Sequence, residues 1–233
     1  MERLRAIEAS ASSSDGVACF ARLYREVTEA VEAELAVKSV DEGAFTEQLD
    51  LRFAGLFFSA YEAYGHDPGS APRAWVPLFA SRARKGVAPV QFALAGMNAH
   101  INRDLPVALG ETWHELGSGE QPQEHADFER IDVLLDHVEQ RIKPVYLTGW
   151  LARVDRVLHR VARIDDVVAM WDVARARDAA WTNGRALWRL RAEPALARAF
   201  LGTLDRTVGL AGRGLLIPAD TALGRLARAV TRA

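Results

Sequence analysis

The sequence predicts an all-α protein, a single-domain multi-helix bundle of seven to nine helices over residues 1–233. Apolar residues recur at intervals of three and four along most of the chain, which is the period of helices buried on one side. Alternating runs bounded by turn dipeptides, which would indicate strands, are scarce. The 233 residues are enough for one sizeable core, and we find no internal repeat. Residues 1–14 could be a flexible start.

Caps and breakers delimit the first two long helices. The run Ser12–Asp15 supplies N-cap residues for a helix that reaches about residue 36. The next helix starts at Asp41 or Thr46. It is predicted to end near Gly65, because glycine readily takes the left-handed conformation of a helix C-terminus.

A turn-rich loop and two prolines delimit the middle of the chain. Residues 66–73 are rich in Pro, Gly and Ser and predict a loop, with a short helix from Trp75. Pro89 opens the next helix as its first residue. Pro106 is predicted to kink or end that helix, with a further turn to about Leu116.

The second half of the chain is predicted to hold five helices after a loop at 117–123. Prolines, glycines and acidic residues mark most of their ends. The predicted helices cover about 124–143 (ended by Pro144), 145–160, 165–192, a segment from Pro194 onward, and 221–230.

Composition narrows the function classes. The net charge of −2 provides no basic surface for nucleic acid, and no run of 18 apolar residues predicts a membrane span. The N-terminus lacks the apolar core of a signal peptide, and Cys19 is the single cysteine, so we expect a cytoplasmic protein without disulfides. From Leu151 onward there are 15 Arg and 8 acidic residues, which could meet an acidic partner or the chain's own acidic half. The chain could also form a homodimer.

The segment GMNAHINRDLPVAL, from Gly96 to Leu109, places polar residues in an otherwise apolar helix. His100 and Asp104 are four residues apart and therefore lie on one side of a helix. They could bind one metal ion, zinc rather than iron or manganese, or they could simply pair with each other. Asn98, Asn102 and Arg103 crowd the same turn. Polar groups are costly to bury without partners, so these three are candidate substrate-binding residues.

The helix at 124–143 repeats the spacing with His125 and Glu129. These two residues could hold a metal ion or form a surface ion pair, and Asp127 could replace Glu129 as a ligand. Asp132, or alternatively Asp127, is a candidate catalytic base, although a solvated helix face also explains Asp132.

The segment HINRDLP, followed about 25 residues later by HADFE, resembles the ligand pattern of the all-α zinc phospholipase C and P1-nuclease-type phosphoesterases. That resemblance implies a zinc cluster in which His100 and Asp104 bind one ion, His125 and Glu129 bind a second, and His66 is an upstream ligand. The chain is also similar to an uncharacterised actinobacterial family with an N-A-H-I-N-x-D-L-P core.

Three functional hypotheses follow. The first is a metal-dependent all-α enzyme that hydrolyses a phosphoester or another anionic small molecule with a metal-activated water. The second is a metal-free small-molecule-binding enzyme, of the cyclase or isomerase type, that uses His100 and Asp104 as an acid–base dyad in an apolar pocket. The third is a non-catalytic helical interaction module.

Overall fold

Helices and short connections make up all of the chain that the structure describes, which is residues 1–38, 43–117, 119, 121–151 and 172–218 of a computed structural model. No strand occurs within these ranges, which confirms the all-α prediction. The helices are α1 (Glu2–Ala9), α2 (Gly16–Lys38), α3 (Ala44–His66), α4 (Val76–Ser81), α5 (Pro89–Ala99), α6 (Leu105–Leu116), α7 (Pro122–Leu151), α8 (Val173–Arg189) and α9 (Pro194–Leu215). A π-helical turn at His100–Asp104 joins α5 to α6, and a 3-10 turn at Leu190–Ala192 precedes α9. None of the helices in these ranges is both long and apolar enough to cross a membrane.

The structure confirms the predicted N-cap of α2 and shows an additional helix, α1, before it. The Oδ1 atom of Asp15 accepts hydrogen bonds from the backbone N–H groups of Val17 and Ala18, at 2.9 and 3.1 Å. Asp15 therefore caps α2 as a helix N-cap should. The preceding residues, which we expected could be flexible, include α1, and Leu4 and Ile7 of that helix are buried.

The predicted end of α3 near Gly65 is within one residue of the observed end, but the prediction of a left-handed Gly65 is wrong. The helix continues through His66 and stops at Asp67, whose backbone is extended with φ −150°. Asp67 precedes Pro68, and a residue before proline is sterically displaced from the helical region. The proline, not the glycine, sets this end.

The prediction that Pro144 ends the long helix is also wrong, because α7 runs through it to Leu151. A proline removes one hydrogen bond of the helical ladder, and a helix can continue beyond it. The helix predicted at 221–230 lies outside the described residues, as do the parts of 145–160 and 165–192 that fall within 152–171.

The core surrounds the continuous rod formed by α5, the π-helical turn and α6. Helices α2 and α9 pack on α5, while α3 and α8 pack on α6. The contact between α2 and α5 is close at Gly96, where an added Cβ would lie 2.3 Å from Cγ of Phe20. The residue at 96 therefore controls how near Phe20 can approach the segment that carries His100.

Candidate functional site: a buried histidine–aspartate pair beside a cavity

The π-helical turn places His100 and Asp104 inside the protein. At this turn the backbone N–H of Leu105 donates to the carbonyl of His100, five residues earlier. Pro106 has no N–H, and in a regular helix its ring would clash with the carbonyl four residues back. The wider turn precedes the proline, which becomes a residue of the first turn of α6, where no N–H is needed. Pro106 thus changes the helical register and does not end the rod. Such π-helical insertions are frequent at functional sites.

Asp104 is a fully buried carboxylate that accepts three hydrogen bonds. Its Oδ2 atom accepts from Nδ1 of His100 at 3.2 Å and from Nε1 of Trp75 at 2.9 Å. Its Oδ1 atom accepts from Nη1 of Arg103 at 2.8 Å, and its exposed fraction is 0%. A buried charge is tolerated when it is paired and hydrogen-bonded in this way. We did not predict Trp75 as a partner, although a buried tryptophan N–H normally requires an acceptor.

His100 is held as a neutral ring. Burial lowers the pKa of His100, and the hydrogen bond to Asp104 and the charge of that carboxylate only partly oppose this effect. Because Nδ1 faces the carboxylate, Nδ1 carries the proton and Nε2 has the free lone pair. Nε2 is buried, and no group in the described ranges forms a hydrogen bond with it. The pair therefore presents one unused hydrogen-bond acceptor.

Aromatic rings enclose the imidazole of His100. The Phe53 ring stacks on it with centroids 3.6 Å apart and planes 6° apart, and the Tyr24 ring lies at 4.7 Å. Phe20 and Trp75 lie at 5.8 and 6.0 Å. Apolar surroundings of this kind favour the uncharged imidazole.

A cavity of about 350 Å³ adjoins this pair. It lies between α2, α3, α7, α8 and the rod formed by α5, the π-helical turn and α6, and its volume falls in the range of small-molecule sites. Its wall is mostly apolar and includes Leu23, Val27, Phe53, Ile101 and Leu135. His100 and Tyr24 are also lining residues.

Comparison with protein families matches residues 1–218 to a family of unknown function, DUF5995. The chain belongs to the DUF5995 family. No curated protein and no solved structure matches it. Membership of DUF5995 agrees with the expectation of an uncharacterised family.

In this DUF5995 protein, the three candidate substrate-binding residues have partners within the chain. The side-chain amide of Asn98 donates to the carbonyl of Val208 on α9 at 3.0 Å, and that of Asn102 donates to Oδ1 of Asn98 at 3.3 Å. Arg103 lies between Asp104 and Asp205, with its Nε atom 3.7 Å from Oδ1 of Asp205. The contacts of Asn98 and Arg103 join α5 and the π-helical turn to α9, and the substrate-binding role of the three residues stays a prediction from the sequence.

The second predicted pair lies at the surface. Nδ1 of His125 is 3.9 Å from Oε1 of Glu129, and their side chains are 44% and 63% exposed. Asp127 accepts from Gln123 and Arg130. All of these residues lie on α7, and His125 contacts the ring of Trp181 at 4.7 Å.

No hydrogen bond or ion pair joins His66 or Asp132 to the buried pair in the described ranges. His66 is exposed at the end of α3. It lies nine residues, about 13 Å along the helix axis, beyond Phe57, whose ring centroid is 6.3 Å from that of His100. Asp132 is bonded to the buried guanidinium of Arg177, and burial raises the pKa of Asp132 despite that cation. In the described ranges of this DUF5995 member, no three His, Cys, Asp or Glu side chains converge to hold a metal ion. The ligand set implied by the phosphoesterase resemblance is therefore not brought together there.

Proposed function

We propose that this DUF5995 protein binds an apolar small molecule in the cavity and uses His100 and Asp104 as a metal-free acid–base dyad toward it. The observation that supports this proposal is His100 itself, which lines the apolar cavity and whose Nε2 atom is buried without a hydrogen-bond partner in the described ranges. A buried acceptor without a partner costs about 1–3 kcal/mol. A bound molecule that donates a hydrogen bond would recover that free energy.

The orientation of the dyad favours proton transfer. Asp104 fixes the tautomer of His100 by accepting from Nδ1, as the carboxylate does in serine-protease triads. The opposite nitrogen then acts as the base when a substrate proton lies within hydrogen-bond distance. Proton removal and return on an apolar substrate is the chemistry of isomerases and cyclases, and this is the reaction class we propose.

The metal-dependent hydrolase stays a prediction from the sequence. It requires several ligands around one ion, whereas His125 and Glu129 lie at the surface and no three His, Cys, Asp or Glu side chains converge in the described ranges. Elemental analysis of the purified protein tests it. One equivalent of Zn, Fe or Mn that is lost in His100→Ala would favour the hydrolase over our proposal.

Binding of N-phenyl-1-naphthylamine, a neutral fluorescent probe with one N–H donor, tests the cavity itself. We expect saturable binding with one site per chain. Val27→Trp, at the cavity wall, should abolish binding by filling the space. The matched control Val133→Trp introduces the same side chain at a position on α7 that is 57% exposed, and it should bind like wild type.

Circular dichroism would establish that both variants are folded. No binding by wild type, or equal binding by the two folded variants, would contradict the proposal. An interaction module without a ligand would give the first of these results.

A further inference from the structure

We infer that the polar group of the ligand is a neutral hydroxyl that donates to Nε2 of His100 and accepts from the hydroxyl of Tyr24. The inference rests on the proposed function and specifies its ligand class: mainly apolar alcohols or phenols, as opposed to hydrocarbons or carboxylic acids. It depends on two side chains that share one cavity wall.

The ring of Tyr24 lies next to the ring of His100. Its ring centroid lies 4.7 Å from that of His100, with the planes inclined by 64°, and both residues line the cavity. One helical turn further along α2, Thr28 also lines the cavity, but its hydroxyl donates to the backbone carbonyl of Tyr24 at 2.9 Å. Tyr24 is therefore the suitable hydroxyl donor beside His100.

The charge states of the two groups are complementary. Burial raises the pKa of Tyr24, and the negative charges of Asp50 and Asp104 raise it further. Tyr24 consequently stays a neutral donor, while His100 stays a neutral acceptor at Nε2. One acceptor beside one donor matches a hydroxyl group, which donates one hydrogen bond and accepts others.

Other head groups fit less well. A methyl group leaves both protein groups without a partner. A carboxylate has no proton for Nε2, and it would bring a negative charge near the buried Asp104 and near Glu32, Asp50 and Glu139 of the cavity lining. Among the described lining residues the one Lys or Arg side chain is that of Arg177, which is already paired with Asp132.

The cavity volume limits the apolar part of the ligand. A dry protein cavity of about 150 Å³ accepts benzene. The volume here is about 350 Å³, which suits a skeleton of roughly two fused rings. Naphthalenes with different 2-substituents are therefore suitable probes.

The test compares 2-naphthol, 2-methylnaphthalene and 2-naphthoate, measured by equilibrium dialysis against the full chain at pH 7. We expect 2-naphthol to bind about 10-fold more tightly than 2-methylnaphthalene, since one additional pair of satisfied hydrogen bonds has about that effect. We expect 2-naphthoate to bind most weakly. Tyr24→Phe, which removes one oxygen atom, should reduce the preference for the phenol severalfold and leave 2-methylnaphthalene binding unchanged.

Tyr64→Phe is the matched control, because Tyr64 packs against Phe79 at 5.1 Å and is not part of the described cavity lining. It should retain the full preference. Equal binding of 2-naphthol and 2-methylnaphthalene, or tightest binding of 2-naphthoate, would overturn the inference and leave the proposed cavity function standing. Failure of all three to bind would overturn the inference, and the proposed function would fall with it if N-phenyl-1-naphthylamine also failed to bind.

Discussion

Replacing Asp104 with asparagine would measure how strongly the buried pair depends on its carboxylate. The substitution keeps the shape of the side chain and removes its charge. Three donors point at this carboxylate: Nδ1 of His100, Nε1 of Trp75 and Nη1 of Arg103. An asparagine amide offers one acceptor oxygen and two N–H donors, so at least one of the three donors would face another donor.

The largest part of the expected loss comes from Arg103. Its side chain is 13% exposed, and without Asp104 its remaining acidic neighbour is Asp205 at 3.7 Å. Removing one partner of a buried ion pair costs about 3–5 kcal/mol. Loss of the bond from Trp75 overlaps with this loss, because both arise from one network. We therefore expect the free energy of unfolding to fall by about 3–5 kcal/mol, which lowers Tm by roughly 10 °C for a chain of this length.

Urea unfolding at pH 7, followed by far-UV circular dichroism, would measure the change. Asp136→Asn is the matched control, because Asp136 is exposed and accepts from Gln140 on the same helix. It should change stability by no more than about 0.5 kcal/mol. If Asp104→Asn behaved like this control, the three donors would not depend on a charged carboxylate at position 104. The assignment of His100 as a neutral ring with its proton on Nδ1 would then also be wrong.

Two further predictions concern packing and pH. Gly96→Ala should lower stability by about 1–3 kcal/mol because the new Cβ overlaps Phe20, whereas Gly202→Ala, which meets nothing within 4 Å in α9, should be neutral or stabilising by up to about 1 kcal/mol. Calorimetry of both variants checks this, and equal Tm values would contradict it. The pKa of His100 is lower in the folded state, so below about pH 6.5 the unfolded chain takes up a proton that the native state refuses. Stability should then fall as pH decreases, by up to about 1.4 kcal/mol per pH unit until the folded pKa is reached. Urea titrations between pH 5 and 8 should show this slope in wild type and in His125→Gln but a smaller one in His100→Gln, and identical slopes in all three proteins would refute the assignment.

Short-range signals in the sequence predicted most of the fold. The structure confirms three predicted helix starts: the N-cap at Asp15 and the first residues Pro89 and Pro194. Each of these signals depends on only a few neighbouring residues. The errors at Gly65 and Pro144 concern the ends of helices, where competing local preferences differ by little free energy. At Gly65 the following Asp67–Pro68 pair decided the outcome.

The site was only partly predictable. Spacing alone brought His100 and Asp104 together, and the structure places them in contact. Trp75, which completes the network, immediately precedes α4 and lies 29 residues before Asp104 in the sequence. No local sequence pattern connects Trp75 with Asp104. The same limit applies to His125 and Glu129, because four-residue spacing puts two side chains on one helix face without telling which face is buried.

The π-helical turn has a consequence for the apolar pattern of the whole rod. One extra residue per turn rotates everything that follows by about 100° relative to an uninterrupted α-helix. Every side chain of α6 therefore faces a direction about 100° away from the one that an uninterrupted α-helix would give it. The rod meets α2 through α5 and α8 through α6, so deleting one residue from the π-helical turn would rotate the whole α8-facing surface of α6 relative to α5.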